Sequence, residues 1–353
     1  MVITFPSFLG FLLYLSSEAS RVFIPLLTEE LGGSSLAVGL VGGAYGFTYF
    51  VASLLFGRQA DLRGRLYFVR LGLALSALCF AAQMAAGSVL SLAWLRAAVG
   101  FSLGVVTGAL LVLAYENRGG VGKYSAWCAA GWIAGSFLAA VLQYYRLIFL
   151  LSALICLLAF LLSWRIKGEV LGAKMNHPSL WQVLTRHHRV YFPFFLRHLG
   201  ASSVWIIFPL YLQHLGASKF WIGMAVMTNY LGQSLLMGVA ERGDGFRLFR
   251  AGLGLSVLVF LLYPLLSSFY QVYPVQLLLA AAWSALYVGA LSVLLREGEG
   301  RGTAAGALIG MINLCGALGP LVGGLLAYYW GYRAVMIFAA LLSLVGLWWS
   351  WKH

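Results

Sequence analysis

The sequence predicts an all-α polytopic membrane protein, with twelve transmembrane helices in two pseudo-symmetric six-helix halves. Three observations predict it. The chain of 353 residues is 62% hydrophobic and only 9% charged, against about 25% charged in a soluble domain. Apolar stretches such as 71–86 and 147–164 run without a break, whereas barrel strands alternate apolar and polar residues over about 10 positions. Residues of the first half also recur in order in the second. Hydrocarbon offers the backbone no hydrogen bonds, so unbroken spans of this kind are helices.

A bilayer core of about 30 Å takes about 20 helical residues. At that length the first six spans fall at 5–27, 36–57, 66–86, 89–113, 122–143 and 146–165. The other six fall at 190–213, 219–240, 248–267, 271–295, 303–328 and 333–351. The loops between spans are very short, and no soluble domain is inserted. The domains expected are therefore an N-terminal half over 1–165, a linker over 166–189 and a C-terminal half over 190–353. The linker is basic and holds Pro178, Trp181 and Leu184, which reads as a short amphipathic helix lying along the membrane surface.

The formal charge of +13 would suggest nucleic acid as the partner of a soluble protein. Here the cations sit in short loops on one side, among them Arg58, Arg63, Arg65, Arg118, Lys123, Arg165, Lys167, Arg186, Arg189, Arg242, Arg247, Arg296 and Arg301. Only Arg146, Lys219 and Arg333 fall near the other side. The positive-inside rule then places both termini in the cytoplasm; the plasma membrane is the expected location, with the lipid bilayer as partner and no nucleic acid. Residues 5–27 read as a retained span, since no basic leader or small-residue cleavage site accompanies them. Cys79, Cys128, Cys156 and Cys315 lie in apolar spans without Cys-x-x-Cys spacing, so they read as small core residues. No metal or cofactor is expected.

The repeat is ordered. Pro25, Leu26, Leu31, Gly32, Ser34 and Gly39 return 184 positions later as Pro209, Leu210, Leu215, Gly216, Ser218 and Gly223, and Arg58 returns as Arg242. Tyr145, Arg146, Ser163 and Trp164 return after 187 positions as Tyr332, Arg333, Ser350 and Trp351. The halves are thus read as parallel repeats about an axis along the membrane normal.

The loop after the second span reads Gly57-Arg58-Gln59-Ala60-Asp61-Leu62-Arg63-Gly64-Arg65. Gly57 suits close helix packing, Gly64 suits positive φ, and Asp61 suits a helix N-terminus or an arginine. The loop resembles the Gly-x-Leu-Ala-Asp-Arg-x-Gly-Arg-Arg signature of the major facilitator superfamily, departing from it at Gln59, Leu62 and Leu66. With the spans, the linker and the duplication, the chain resembles that family over its whole length. The resemblance implies a functional monomer and a conformational latch of Gly57, Asp61, Gly64 and Arg65, with Glu116 as the acidic partner. The second copy, around Glu241, Arg242, Asp244 and Arg247, is degraded.

Span 4 spaces Arg96, Gly100, Gly104 and Gly108 four apart, so its glycines form one stripe for close helix approach. Arg96 resembles the family arginine of that span, often linked to proton coupling. Gly316, Gly319, Pro320 and Gly323 in span 11 resemble the glycine–proline motif that antiporters carry in span 5. Span 5 itself has Gly131 and Gly135 but no proline. These glycines are read as packing devices.

Charges inside spans are costly and functional by default. At 1.5 Å per residue, Glu18 lies roughly 20 Å from the cytoplasmic start of span 1 and Arg96 roughly 10 Å from the external start of span 4, at similar depth. Since the resemblance puts spans 1, 4, 7 and 10 around a central cavity, Glu18 could face Arg96 and act as the proton-coupling carboxylate. The competing reading is a structural ion pair of Glu18 with Arg96 or Arg21. Arg21 suits snorkelling to the interface, and Arg197 suits either an anion or snorkelling inward. His198 suits either titration or a plain hydrogen bond. Tyr14, Trp94, Trp205, Trp283 and Tyr287, with Trp132 and Tyr115, are aromatic candidates for the cavity wall, or else helix packing. Asn229, Gln233 and Asn313 suit hydrogen bonds between helices.

No hydrolase, zinc-protease or phosphate-loop motif occurs, so an enzyme is not expected. The function expected is secondary active transport by alternating access, with a small-molecule substrate and protons as partners. Proton-coupled export of hydrophobic or amphipathic compounds leads. A transporter of small organic anions using the intramembrane arginines is the alternative, and a non-transporting membrane sensor is the reading from another class.

Overall fold

The computed structural model describes residues 5–114, 121–166, 180–240, 244–295 and 301–352. Among these residues every regular element is helical. Nine helices have the length and hydropathy of a membrane span, and one of them, Thr303–Lys352, is long enough for two. Together with the broken first helix and Lys219–Ala240, they make the twelve membrane-length segments the sequence predicts.

The chain divides into two compact units, residues 1–173 with 218–227, and residues 174–217 with 228–353. In the first, α1 (Phe5–Arg21) packs on α6 (Val121–Leu142) and α7 (Tyr145–Ser163). Next to these, α3 (Ser35–Arg63) packs on α5 (Val89–Ala114), and α4 (Arg65–Ala82) packs on α5 and α7. The short helix α2 (Ile24–Glu30) continues α1 after a break. In the second unit, α9 (His188–His214) packs on α13 (Arg301–Lys352), and α11 (Gly245–Leu262) packs on α12 (Val272–Leu294) and α13. The first span is thus not one helix. Pro25 lacks an N–H and its ring collides with the preceding turn, so the helix restarts with Pro25 in its first turn.

From the linker, α8 (Leu180–Arg186) is described, with Trp181 exposed; Pro178 and residues 167–179 lie outside the described residues. Helix α10 (Lys219–Ala240) begins in the first unit. There Lys219 pairs with Glu30 at 2.9 Å, the Tyr145 hydroxyl donates to the same carboxylate oxygen at 2.6 Å, and Lys219 sits 4.0 Å above the Tyr145 ring.

The internal repeat survives at the level of single hydrogen bonds. At the end of α2, Leu31 N donates to Leu27 O, Gly32 N to Glu29 O and Gly33 N to Thr28 O. After α9, and 184 positions on, Leu215 N donates to Tyr211 O, Gly216 N to Gln213 O and Ala217 N to Leu212 O. Gly32 and Gly216 take φ of 83° and 88°, the left-handed value that closes a helix C-terminus and that only glycine adopts freely. Even the next turn matches, with Val38 N donating to Ser34 O and Ile222 N to Ser218 O. Such a coincidence of backbone geometry follows from the duplicated residues.

The two parts of α13 meet at Gly331, with φ 79° and ψ 173°. In the first unit the matching corner falls between α6 and α7. There Gln143, at φ 59°, is the one non-glycine residue with positive φ among the described residues. A side chain in that region costs about 1 to 2 kcal/mol. Replacing Gln143 with glycine is therefore expected to stabilise the protein by about 1 kcal/mol, net of the extra freedom glycine gains when unfolded. Thermal unfolding in detergent measures this, and an unchanged or lower midpoint would refute it.

Glycines set the helix spacing. A Cβ on Gly104 would stand 2.6 Å from Tyr49 O and 2.7 Å from Ala52 Cβ, and one on Gly100 would strike Tyr45 O. On α6, a Cβ at Gly131 would come to 2.6 Å from Phe11 O and one at Gly135 to 2.5 Å from Leu15 O. In the second unit Gly319 and Gly323 meet Ser202 and Ser203 in the same way. Gly57, Gly108 and Gly316 depart from the packing role read for them. Each has open space where a Cβ would stand, so no neighbouring helix approaches there among the described residues. Pro320 lies inside α13.

Candidate functional site

Each unit holds one arginine only 2% exposed, Arg96 in the first and Arg197 in the second, and the two sit in different chemistry. In the first unit Arg96, 2% exposed, projects from α5 toward α1 and the 3-10 turn after α4. Its Nη1 donates to Ser20 Oγ and to Gln83 Oε1, both at 3.3 Å, and Gln83 Nε2 donates to Ser20 Oγ at 3.1 Å. The guanidinium lies 4.5 Å from the centre of the Tyr45 ring, a cation–π contact. Tyr45 stacks on Tyr49, whose hydroxyl donates to Thr107. The close approach of α3 and α5 at Gly100 brings Tyr45 to Arg96.

Glu18, also 2% exposed, takes Arg21 and not Arg96. Arg21 Nη2 donates to Oε1 at 2.8 Å and Nε to Oε2 at 3.0 Å, a two-pronged pair one turn apart on α1. The Arg21 side chain is 36% exposed, so it bridges a buried carboxylate to the surface. Gly135 permits this packing, because its missing Cβ would stand 3.0 Å from Glu18 Cβ. One turn earlier Tyr14 meets Trp132 edge to face at 5.2 Å.

In the second unit Arg197 on α9 is 2% exposed, so it does not reach inward to the interface. Its Nε donates to Ser256 Oγ at 2.9 Å. Asp244 is the one carboxylate among the described residues of that unit. It caps α11 twelve residues before Ser256, roughly 18 Å away along the helix. Arg197 lies 5.4 Å from the Trp283 ring and 5.6 Å from the Phe260 ring. His198 stacks on Phe194 and lies 5.2 Å from Trp283, and its buried Nδ1 has no hydrogen-bond partner among the described residues. Trp283 stacks on Tyr287 at 5.4 Å.

The other candidates part company. Trp205 packs on Phe208, one turn along its own helix, and Trp94 is 72% exposed. Trp94 therefore fits a lipid-facing surface and not the cavity wall proposed for it. Asn229 donates to Gln276 O at 3.1 Å and receives Gln233 Nε2 at 2.6 Å, joining α10 to α12. In the loop motif Gly64 has φ 99° and Arg65 is buried. The Asp61 side chain, Tyr115, Glu116, Glu241 and Arg242 lie outside the described residues. Among the described residues no three His, Cys, Asp or Glu gather to hold a metal ion.

Sequence reasoning passed over Ser20, Gln83, Tyr45 and Ser256, the polar and aromatic partners of the two arginines. Gln83, a lone amide closing an apolar span, carried a signal in the sequence. The serines carried none, since serine is common in spans as a helix-packing residue.

The Major Facilitator Superfamily model matches residues 7–188 and 190–353. A comparison with curated protein sequences finds no match. Among solved structures, the nucleoside transporter NupG is 15% identical, with TM-score 0.78 over 99% of this chain and 98% of that one. The human organic anion transporter MFSD10 (TETRAN) is 20% identical, with TM-score 0.73 over 98% of each chain. A bacterial homolog of the human lysosomal transporter Spinster is 13% identical, with TM-score 0.78 over 98% of this chain and 95% of that one. At these identities the likeness is one of fold.

Proposed function

The chain belongs to the major facilitator superfamily, and on that premise we propose that it carries small anionic organic solutes across the membrane by alternating access. It is a multi-pass membrane transporter of small molecules and not an enzyme. Similar folds bear names as unlike as nucleoside and organic anion transporter, so the side chains must decide the substrate.

One observation carries the anionic reading. Among the described residues Arg96 and Arg197, one deep in each unit, have no carboxylate within ion-pair distance, whereas Glu18, the one deeply buried carboxylate, is already neutralised by Arg21. A buried, uncompensated cation is strongly unfavourable. An anionic solute would relieve it, and a lipophilic cation would aggravate it. Two cationic sites also suit a carrier, because each can hold the anion without the tight trapping that a paired cage would cause.

The second reading, proton-coupled export of hydrophobic or amphipathic compounds, is favoured by Glu18 itself. A carboxylate 2% exposed and bound to a half-exposed arginine is placed to exchange a proton with its surroundings. Proton coupling and anion transport are compatible, with Glu18 and Arg21 parting when the proton arrives. The loop charges support both termini on the cytoplasmic side of the plasma membrane, and the family pattern supports a monomer.

Proteoliposomes test both readings. Uptake of organic anions, with no proton movement triggered by lipophilic cations, is the result expected. Glu18→Gln is expected to exchange anions still but to lose accumulation against a gradient. Accumulation that persists in Glu18→Gln removes the coupling role. Proton flux triggered by lipophilic cations alone overturns the anionic reading.

A further inference from the structure

We propose that Arg197, Trp283 and Tyr287 form a binding site in the second unit for an aromatic carboxylate. The inference rests on the anionic reading above and adds to it the ring system and the residues that select it.

The guanidinium of Arg197 is only partly satisfied. Of its five N–H groups, the Nε–H donates to Ser256 Oγ, and Ser256 in turn donates to Gly252 O at 2.7 Å. The Nη atoms have no acceptor among the described residues. Arg197 is nevertheless 98% buried, counting from its 2% exposure. A merely structural side chain here would do better as methionine or leucine, since apolar replacements of buried charges are commonly neutral or stabilising. The Nη atoms form a planar fork that fits the two oxygens of a carboxylate. Ser256 fixes the direction of that fork from the far side.

The ring requirement comes from the neighbours. Trp283 and Tyr287 stand one turn apart on α12 and stack with an interplanar angle of 16°. They make a stepped shelf of two near-parallel rings, and Arg197 lies 5.4 Å from the Trp283 ring. A planar ring extends such a shelf by offset stacking, while its carboxylate reaches the guanidinium. His198, tilted 34° to Trp283, holds the unpartnered Nδ1 beside the same shelf and can take a polar substituent of the ring. An aliphatic acid would satisfy Arg197 and leave the shelf unused. An aryl cation would use the shelf and be repelled by Arg197.

Benzoate, cyclohexanecarboxylate and benzylammonium separate these cases, being matched in size and differing in planarity or charge. Calorimetric binding and thermal unfolding on the purified full-length protein supply the two readouts. Benzoate is expected to bind about threefold to tenfold more tightly than cyclohexanecarboxylate, and benzylammonium not to bind. Arg197→Met is expected to weaken benzoate at least about tenfold while unfolding at the same or a higher temperature without ligand. Trp283→Leu is expected to remove the preference for the aromatic acid and keep the shared carboxylate affinity. Should Arg197→Met fail to fold, Arg197→Lys, which keeps the charge without the fork, and Trp283→Leu carry the test.

Equal binding of the two acids in the unsubstituted protein overturns the aromatic site and leaves anion transport standing. Benzoate binding that persists in Arg197→Met or in Arg197→Lys, or a less stable Arg197→Met protein that binds no differently, makes Arg197 structural and overturns the proposal. Absence of binding by any anion, together with absence of anion uptake in proteoliposomes, overturns this inference and the anionic reading together.

Discussion

Replacing Gly104 with leucine is expected to leave no folded first unit. Tyr49 O and Ala52 Cβ already stand at 2.6 and 2.7 Å from the place a Cβ would take, and Ser53 N at 3.0 Å. All three sit on or beside the backbone of α3, so no side chain can swing away to make room. The helices must separate by more than an ångström, which strips contact along the whole α3–α5 seam, Gly100 and the Thr48 bond to Ala97 O included. Overpacking costs about 1 to 3 kcal/mol where side chains can adjust, and backbone on both sides puts this case at or above the upper end. The measurement is the yield of monodisperse protein and its unfolding midpoint. Gly108→Leu, one turn on in the same stripe but facing open space, is the control and should behave as the unsubstituted protein does. Equal loss in both would mean that the stripe fails for a reason other than helix approach.

Replacing Arg96 with methionine is expected to lower anion uptake by about ten- to hundredfold, the range given by the loss of one charged hydrogen-bonded contact of about 1.5 to 3 kcal/mol. Its partners Ser20 and Gln83 are neutral and keep the bond between them when the guanidinium goes, while Gln83 Oε1 loses its donor. Stability should nevertheless hold, because removal of a buried charge offsets the cost of about 1 to 3 kcal/mol for the amide oxygen left without a donor. That combination, lower transport without lower stability, separates a substrate-facing role from a structural one. A variant that transports normally removes Arg96 from the substrate path. One that unfolds assigns the Ser20–Gln83–Arg96 cluster to the architecture of α1, α4 and α5. Ser20→Ala gives a milder check, since it removes a shared acceptor and keeps the charge.

The sequence by itself determined the spans, the duplication and the turns. Hydropathy is a local property summed over about 20 residues, so a span is legible wherever its neighbours fall. The corner at Gly64 was legible for a similar reason, because backbone conformation is limited by the residue that adopts it, whereas Gly32 and Gly216 were legible as repeat partners and only the structure showed them closing helices. Pro25 opens the helix that follows the break in the first span, whereas its repeat partner Pro209 lies inside an unbroken α9, so the proline by itself did not announce the break.

Only the tertiary structure decided which way each helix faces, and with it every partner in the candidate sites. A helix apolar on all sides presents no stripe to read, because lipid and protein interior are equally apolar. Successive residues stand about 100° apart, so a modest rotation exchanges what is buried for what is exposed. Glu18 therefore met Arg21 on its own helix instead of Arg96 at similar depth, and Arg96 met Ser20 and Gln83. Trp94 turned outward while Trp283 turned in toward Arg197. Gly104 entered the seam with α3, and Gly108 and Gly316 did not. Close packing between helices fixed those rotations, and that packing is set by side chains far apart in the chain.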